Sequence, residues 1–488
     1  MNILRRVFST VLVVGVLTAV VAIDRQGGQK SVGASGALIT LGGFPQAVGG
    51  SRISTSWFCP GAAAGDGLDA ANIVLSNPGD VEFTAAVNFL SGDVAESRTV
   101  VVPARSQLDV DVLRGRTVGV IAPVVEIIGS VGTVEQELIY AAGDVTSQCV
   151  SQTSDSWFFA DGFTADGSTQ RIVLINPYPD TAVVNMAYTT NAGRRTPADL
   201  QGIVLPPKTV KSISMADVGA TNESRIAVEV VATTGQIVAS RMQHYLGGGR
   251  LGYSTTLGAP SPLSEWWFTS GRTGSQVTEQ LVVFNPSERA SQVNVSFFGV
   301  GITNGIPVDQ PADAALPSQA VDIPAGGIVV INTDSIADLP KGDHAMVVST
   351  LNSTRLVVEH VLSQRTNTSA FTAIVNGIPS GLLSTTWRIP AGLGKGARNA
   401  LSILNTTANE GTFTISAVGP GGLLSLPGFV DVPLGAASLI SLDVPVGVSD
   451  GEVVISATVP IAVQRRTTRG HGLIGFGMVG ALPVRMKR

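Results

Sequence analysis

The chain has 488 residues, of which 44% are hydrophobic and only 14% are charged, and its formal net charge is −5. An average soluble protein carries about 25% charged residues, so Ser, Thr, Asn and Gly must cover much of this surface, as suits short strands. The sequence contains no long basic run, and this excludes a nucleic-acid partner because nucleic-acid binding needs a basic patch. The length predicts about three or four domains.

Residues 1–25 are predicted to be an export segment. Arg5 and Arg6 precede an uncharged, apolar run, residues 7–23, which ends at Asp24. A membrane span needs about 17 to 25 apolar residues, so the segment is either a signal anchor that forms one hydrophobic helix or a cleaved signal peptide. The two arginines place the N-terminus inside. The rest of the chain is therefore predicted to be extracytoplasmic, either anchored by a single pass or secreted.

Residues 26–50 form a Gly/Ser-rich connector. Within it, residues 37–42 resemble the strand that closes each later repeat. This segment could add an edge strand to the first domain, but the sequence assigns it no definite role.

One pattern recurs four times from residue 51 onward. Each copy has a tryptophan, a Gly-containing turn and a short apolar run that ends in asparagine, usually followed by proline. The tryptophans are Trp57, Trp157, Trp267 and Trp387, and the asparagines are Asn77, Asn176, Asn285 and Asn405. The interval between them stays within 18 to 20 residues. The constant spacing predicts a shared core whose loops absorb the changes in length.

The recurring pattern predicts an all-β fold. Each copy contains about seven or eight short strands with regular turn signals, which is typical of an antiparallel immunoglobulin-like β-sandwich. The predicted domains are residues 51–150, 151–260, 261–379 and 380–488, in tandem. Their short linkers predict that neighbouring domains touch and form a stiff rod. A closed propeller is disfavoured because it needs about four strands per blade.

The two cysteines, Cys59 and Cys149, bracket the first copy. In an exported chain this even pair predicts a disulfide between the first and last strands of one domain. Two buried free thiols are the alternative.

A search for catalytic motifs finds none. The four histidines lack the spacing of metal ligands, the Gly-rich segments lack the ending of a phosphate loop, and no nucleophile-elbow motif occurs. The sequence therefore predicts no catalytic, cofactor or metal site, and a protein that is not an enzyme.

One polar position recurs in the strand after each late turn. Aligning the copies places Glu137, Arg241, His360 and Arg465 there, and we call these residues the polar column. The column could line a ligand groove, but polar residues on alternate positions more simply indicate the solvated face of a strand. The tryptophans pose a similar choice between stacking on sugar rings and packing in the core, and their large area favours the core.

The repeat resembles that of a bacterial family of exported proteins known only as a domain of unknown function and widespread in actinobacteria. The motifs that carry the resemblance best are residues 157–159, Asn176-Pro177 and residues 237–241. The resemblance covers residues 51–483, although the fourth copy departs from the pattern, with Arg388 after its tryptophan and Thr406 in place of proline. It implies an exported, envelope-associated protein and supplies no activity.

These observations predict a non-enzymatic, extracytoplasmic scaffold or protein-interaction module of the cell envelope. Its expected partners are the cytoplasmic membrane, through residues 7–23 if they are not cleaved, and an envelope protein or wall polysaccharide. One alternative is a carbohydrate-binding array that engages wall polysaccharide through an aromatic ring or the polar column. Another is an accessory factor in envelope glycan assembly, which rests on the resemblance alone.

Overall fold

A computed structural model describes residues 41, 43–47, 54–92, 95–140, 143–302, 318–336, 339, 341–366, 370–393, 397–444, 451–469 and 476–484. The predicted helix over residues 7–23 and most of the segment 37–42 lie outside this part of the chain. Within it, no helix is long and apolar enough to cross a membrane.

The first and second repeats, residues 51–150 and 151–260, each form two antiparallel sheets. The strands of the first are β1 (Ser54–Phe58), β2 (Ala62–Ala64), β3 (Leu68–Asn77), β4 (Phe83–Leu90), β5 (Glu96–Val102), β6 (Ser106–Asp111), β7 (Gly119–Ile128), β8 (Thr133–Tyr140) and β9 (Gly143–Gln148). Those of the second are β10 (Ser156–Phe159), β11 (Thr169–Asn176), β12 (Ala182–Thr190), β13 (Gly193–Arg195), β14 (Ile203–Leu205), β15 (Thr209–Ser214), β16 (Ala227–Thr234), β17 (Val238–Tyr245) and β18 (Gly252–Leu257). The strand orders are β1-β7-β4-β5 with β6-β3-β8-β9, and β10-β16-β12-β13 with β15-β11-β17-β18.

The third and fourth repeats, residues 261–379 and 380–488, follow the same plan. The third has β19 (Glu265–Thr273), β20 (Val277–Phe284), β21 (Ser291–Ile302), β22 (Ser318–Ile323), β23 (Ile328–Asn332), β24 (Gly342–Thr350), β25 (Val357–Arg365), β26 (Ala370–Asn376) and β27 (Ile378–Pro379). The fourth has β28 (Ser384–Ile389), β29 (Arg398–Asn405), β30 (Gly411–Gly419), β31 (Gly422–Ser425), β32 (Val432–Leu434), β33 (Leu439–Val444), β34 (Val453–Thr468), β35 (Gly477–Gly480) and β36 (Leu482–Pro483). Short 3-10 helices span Ala198–Leu200, Thr333–Ser335 and Ser380–Leu382.

The predicted all-β, antiparallel fold is confirmed. In the fourth repeat the two sheets join into one of nine strands, because the long β34 pairs with β28 and β30 in its first half and with β29 and β35 in its second. The immunoglobulin-like assignment, the number of domains and their boundaries remain predictions.

A buried tryptophan anchors each repeat, as the sequence favoured. The indole Nε1 atoms of Trp57, Trp157, Trp266 and Trp387 donate to the backbone carbonyls of Gly132, Ile237, Leu356 and Ile461, at equivalent places in the four copies. In the third repeat the anchor is Trp266, so the assignment of Trp267 was wrong. Adjacent residues of a strand point to opposite faces, and the half-buried Trp267 stacks on Phe298 instead.

The repeated asparagine holds a turn and a strand together. Asn176 Nδ2 donates to the carbonyls of Asp180, Leu205 and Pro206 at 2.7, 3.1 and 3.0 Å, and its Oδ1 accepts the Tyr178 N–H at 3.1 Å. Asn77, Asn285 and Asn405 make matching bonds. The asparagine is retained because its side chain satisfies backbone groups that the turn leaves unpaired.

One register position, here called the closing pair, joins the first strand of each repeat to the segment that ends it. In the first repeat it is the disulfide Cys59–Cys149, which confirms the predicted bond. The neighbouring bridge Phe158–Ala259 puts Phe159 opposite Gly258 in the second repeat. A Cβ added at Gly258 would lie 2.8 Å from the Phe159 ring. A ring packed on glycine therefore replaces the covalent bond.

The four repeats contact one another in a closed cycle. The closing strands β9, β18, β26 and β35 touch in that order, and β35 touches β9. Between the fourth and first repeats, Gln148 Nε2 donates to the carbonyls of Gly480 and Ala481 at 2.8 and 2.9 Å. Ala47 N–H of the connector donates to Pro483 O of the fourth repeat at 2.9 Å. These contacts contradict the predicted rod. Short linkers require neighbours to touch, but they do not fix the direction in which successive repeats turn.

Candidate functional site

The polar column lies on β8, β17, β25 and β34, but one of its members was misplaced. Arg241, His360 and Arg465 each pair with one residue of the neighbouring strand. In all three repeats that partner lies four positions before the repeated asparagine. In the first repeat this register belongs to Gln136, and Glu137 lies one residue further along β8. The alignment is shifted by one residue because Gly132 in the first repeat occupies the place of Ile237 in the second, as their equivalent hydrogen bonds from the tryptophans show.

Three members of the polar column are buried and Glu137 is half-buried, so the expectation of a solvated strand face was wrong for Arg241, His360 and Arg465. Arg241 and His360 are 0% exposed and Arg465 is 3% exposed. These strands pack on the core with one face and on a neighbouring repeat with the other. Arg241 and Arg465 join neighbouring repeats, whereas Gln136 and His360 bond within their own repeats, and none of the four lines an open groove.

The boundary between the second and third repeats contains a buried ion pair. Arg241 Nη1 lies 2.8 Å from Glu359 Oε2, which also accepts the Asp161 N–H at 2.7 Å. Arg241 Nη2 donates to Thr256 Oγ1 at 2.9 Å. Burial disfavours the charged guanidinium, but the Glu359 carboxylate, together with Tyr245 and Asp161, raises the pKa of Arg241.

An equivalent ion pair closes the cycle between the fourth and first repeats. Arg465 Nη2 lies 2.6 Å from both carboxylate oxygens of Glu135. Glu135 Oε2 accepts the Ala391 N–H at 3.1 Å, and Arg465 Nη1 donates to Gly392 O at 2.9 Å. Charge-assisted hydrogen bonds of this kind are stronger than neutral ones.

The other two boundaries use uncharged groups in the same places. Ser240 Oγ donates to Pro60 O at 2.6 Å between the first and second repeats. Gln464 Oε1 accepts the Thr269 N–H at 2.8 Å between the third and fourth. At every boundary, the residue before the column position contacts a residue three or four positions after the core tryptophan of the preceding repeat. The third–fourth boundary has an ion pair at another place, where Arg466 Nη2 lies 2.9 Å from Asp343 Oδ1.

A second buried cluster was missed from the sequence. Arg250 Nη1 lies 3.0 and 2.9 Å from the two carboxylate oxygens of Asp161, and Tyr245 Oη donates to Asp161 Oδ2 at 3.0 Å. Arg250 Nη2 reaches Gln280 Oε1 of the third repeat at 2.7 Å. Burial, with the charge of Asp161, raises the pKa of Tyr245 well above its ordinary value. The signal was an arginine ending the Gly-rich segment that the sequence assigned to a turn.

The third repeat buries a glutamate between two histidines. Glu279 Oε1 lies 2.7 Å from His360 Nε2, and Oε2 lies 2.8 Å from His344 Nε2. Burial alone would raise the pKa of Glu279, but the two histidines hold it well below its ordinary value. The three side chains are at most 1% exposed, so no substrate reaches them. Within the described ranges, no group of three His, Cys, Asp or Glu residues is arranged to hold a metal ion.

A small cavity lies where the four closing strands meet. Its lining includes Asp144 and Thr146 of β9, Tyr253 of β18, Ile374 of β26 and Phe476 beside β35. The empty space is about 210 Å³ with its open mouth included. Sites for small-molecule ligands usually measure about 300 to 1,000 Å³, so this cavity is small for such a ligand.

The fold and the site define an all-β protein of four tandem repeats, joined in a cycle by buried polar contacts and carrying one disulfide. The chain belongs to a family of unknown function, DUF5719, whose model matches residues 132–250 and 254–484. The predicted resemblance to a family of unknown function is thereby confirmed, while the actinobacterial origin stays a prediction. No curated protein matches the chain.

Proposed function

We propose that the protein is a non-enzymatic, extracytoplasmic scaffold of the cell envelope that presents the outer surface of its four repeats to protein partners. The observation that carries this proposal is that the buried ionisable groups form ion pairs with one another. Arg241 and Glu359, Arg465 and Glu135, and Arg250 and Asp161 pair with each other. A catalytic acid or base must reach the group whose proton it transfers, whereas these side chains are largely buried between repeats.

The extracytoplasmic location is supported by the disulfide and by the predicted export segment. Disulfides persist in oxidising compartments and are rare in the cytosol, and Cys59–Cys149 is formed. The proposal includes both a chain anchored to the cytoplasmic membrane through residues 7–23 and a secreted one.

The carbohydrate-binding alternative loses the groove on which it depended. Arg241 and His360 are fully buried, and so are the four core indoles. A sugar cannot stack on a ring that the protein already covers, and the half-buried Trp267 already stacks on Phe298, so we favour a protein partner. A role in envelope glycan assembly would be exercised through such a partner and is examined by the same experiment.

The proposal is tested by photo-crosslinking in cells. A photoreactive amino acid would replace Val118 in the first repeat or Val204 in the second, both exposed, in the full chain. We expect one position to capture a discrete envelope protein that the other position, the matched control for nonspecific capture, does not.

The proposal would be contradicted if the purified chain had a hydrolytic activity that a single substitution such as Glu279→Gln abolished. The substitution would have to leave the unfolding midpoint in denaturant unchanged.

A further inference from the structure

One sheet of the first repeat ends in a regular edge strand, β5. This strand pairs with β4 over all seven of its residues, from Glu96 opposite Phe89 to Val102 opposite Phe83, with no shift of register. Within the described chain, no strand lies on its other side. Alternate N–H and C=O groups of an edge strand point away from the sheet. These groups are the surface that an added strand would use.

Two of the other repeats interrupt the equivalent edge. The second repeat splits it into β13 and β14, with a 3-10 helix between them. The fourth repeat splits it into β31 and β32, and the third has the six-residue β22. Natural proteins shorten or interrupt edge strands to prevent pairing with other chains. Since the fold permits an interrupted edge, the long and regular β5 is a surface suited to pairing.

Apolar side chains lie on the exposed face of the sheet beside this edge. Val101 of β5 and Ile128 of β7 are 50% and 58% exposed, and both pair with the exposed Thr84 of β4. Directly opposed residues of paired strands point to the same face. The three side chains therefore form one row that ends at β5, and an added strand with an apolar residue opposite Val101 would continue that row.

The charges on β5 define what an added strand should carry. Glu96 is already paired with Arg114 and Arg116. Arg98 is exposed and has no ion-pair partner in the described part of the chain. Opposite charges on directly opposed residues stabilise a pair of strands. The edge is therefore complementary to a strand that places an acidic side chain opposite Arg98.

A second copy of this chain is a poor match for the same edge. Two antiparallel copies of β5 pair around a twofold axis that passes through one residue of the strand. With the axis at Arg98, the two arginines lie opposite each other, which is destabilising. With the axis at Thr99, Arg98 lies opposite the buried Val100. With the axis at Ser97, only residues 96–98 of each strand overlap.

We propose that β5 is the docking edge for an extended segment of a partner protein. The segment adds a strand to the sheet, with an acidic side chain opposite Arg98 and an apolar one opposite Val101. Main-chain hydrogen bonds supply affinity in this mode of recognition, and the side chains supply specificity. The inference rests on the proposed function, because it gives the scaffold a site for its protein partner.

The probe is a fluorescent synthetic peptide with the sequence of β4, because β4 already matches β5 residue for residue. Val87, which pairs with Arg98, is replaced by glutamate in the acidic peptide and by lysine in the basic peptide. Fluorescence anisotropy measures binding to the full, oxidised chain and to its Arg98→Glu variant. Arg289→Glu, at an exposed arginine of the third repeat, is the matched control for the change of net charge.

We expect the acidic peptide to bind the wild-type chain about tenfold more tightly than the Arg98→Glu chain, since an attractive cross-strand pair becomes a repulsive one. The basic peptide should show the reverse preference, and Arg289→Glu should behave as the wild type with both peptides. Amide hydrogen exchange of residues 96–102 should slow on binding, because the added strand engages their outward backbone groups.

Three results would overturn the proposal: no binding of either peptide, equal binding by the wild-type and Arg98→Glu chains, or unchanged exchange of residues 96–102 in the bound chain. A doubled mass of the chain without peptide, with slow exchange of the same residues, would identify a second copy as the occupant and would also overturn it. The crosslinking positions Val118 and Val204 lie outside β5, so the docking edge and the scaffold function can fail separately.

Discussion

The first and second repeats share one strand plan but stabilise two equivalent places by different chemistry. The closing pair is the disulfide Cys59–Cys149 in the first repeat and Phe159 packed on Gly258 in the second. The column position is the uncharged Gln136 in the first, whereas Arg241 occupies it in the second. The comparison indicates that the fold requires close contact at these two places and tolerates several ways of making it.

Among substitutions at equivalent places in the two repeats, those at the column position should differ most in their effect on the free energy of unfolding. Arg241→Ala leaves Glu359 buried without its partner, and we expect a loss of about 3 to 5 kcal/mol in the free energy of unfolding. Gln136→Ala removes neutral hydrogen bonds to Gly61 and should cost about 1 to 3 kcal/mol. Denaturant unfolding of the two variants measures the difference.

A double variant sharpens this comparison. Arg241→Met with Glu359→Gln removes both charges, and we expect it to be more stable than Arg241→Ala because no unpaired charge remains. Equal losses in Arg241→Ala and Gln136→Ala would contradict the importance of the ion pair.

The next largest loss of stability should follow removal of the closing pair of the first repeat. Cys59→Ser removes the disulfide and should lower the free energy of unfolding by about 2 to 4 kcal/mol, measured against the oxidised wild-type chain. The exchange Cys59→Phe with Cys149→Gly copies the second repeat and should recover part of the loss. If the exchange is no more stable than Cys59→Ser, the two closing pairs are not equivalent.

The closing pair of the second repeat should respond to one added methyl group. Gly258→Ala brings a Cβ to 2.8 Å from the Phe159 ring. Such overpacking should cost about 1 to 3 kcal/mol, read from the shift of the denaturation midpoint. Gly167→Ala is not a suitable control because Gly167 has a positive φ of 78°. Gly421, which has no neighbour within 4 Å of an added Cβ, is suitable, and Gly421→Ala should be nearly neutral.

The smallest effect should come from an ion pair on the surface of the second repeat. Arg194 lies 2.7 Å from Glu229, close to the Arg241–Glu359 distance, but its side chain is 51% exposed. Arg194→Ala should cost only about 0.2 to 1 kcal/mol. A loss as large as that of Arg241→Ala would show that burial does not set the strength of these pairs.

The sequence was sufficient for the features that depend on local pattern. The strands, the repeated asparagine and the disulfide follow from apolar runs, turn residues and spacing. Trp267 was chosen over Trp266 because two adjacent indoles leave the inward face of a strand ambiguous. The burial of Arg241 could not be predicted because a polar position on a strand looks the same in the sequence whether water or another repeat covers it.

The cycle itself could not be predicted from local pattern. It depends on Glu135 meeting Arg465, which lie at opposite ends of the repeated region. Neither residue differs in kind from an ordinary charged residue on a strand. Only the packing of all four repeats identifies the two as partners.

The hydrogen bond between Ala47 and Pro483 brings the segment that precedes the first repeat beside the end of the fourth. Adjacent termini permit circular permutation. Joining these ends and cutting the chain between the first and second repeats, in residues 151–156, would make the second repeat the N-terminal one. Each repeat would still have a neighbour on both sides, so no boundary between repeats would be lost. Unlike an open solenoid, which needs terminal repeats with a polar outer face, this molecule needs no specialised end unit.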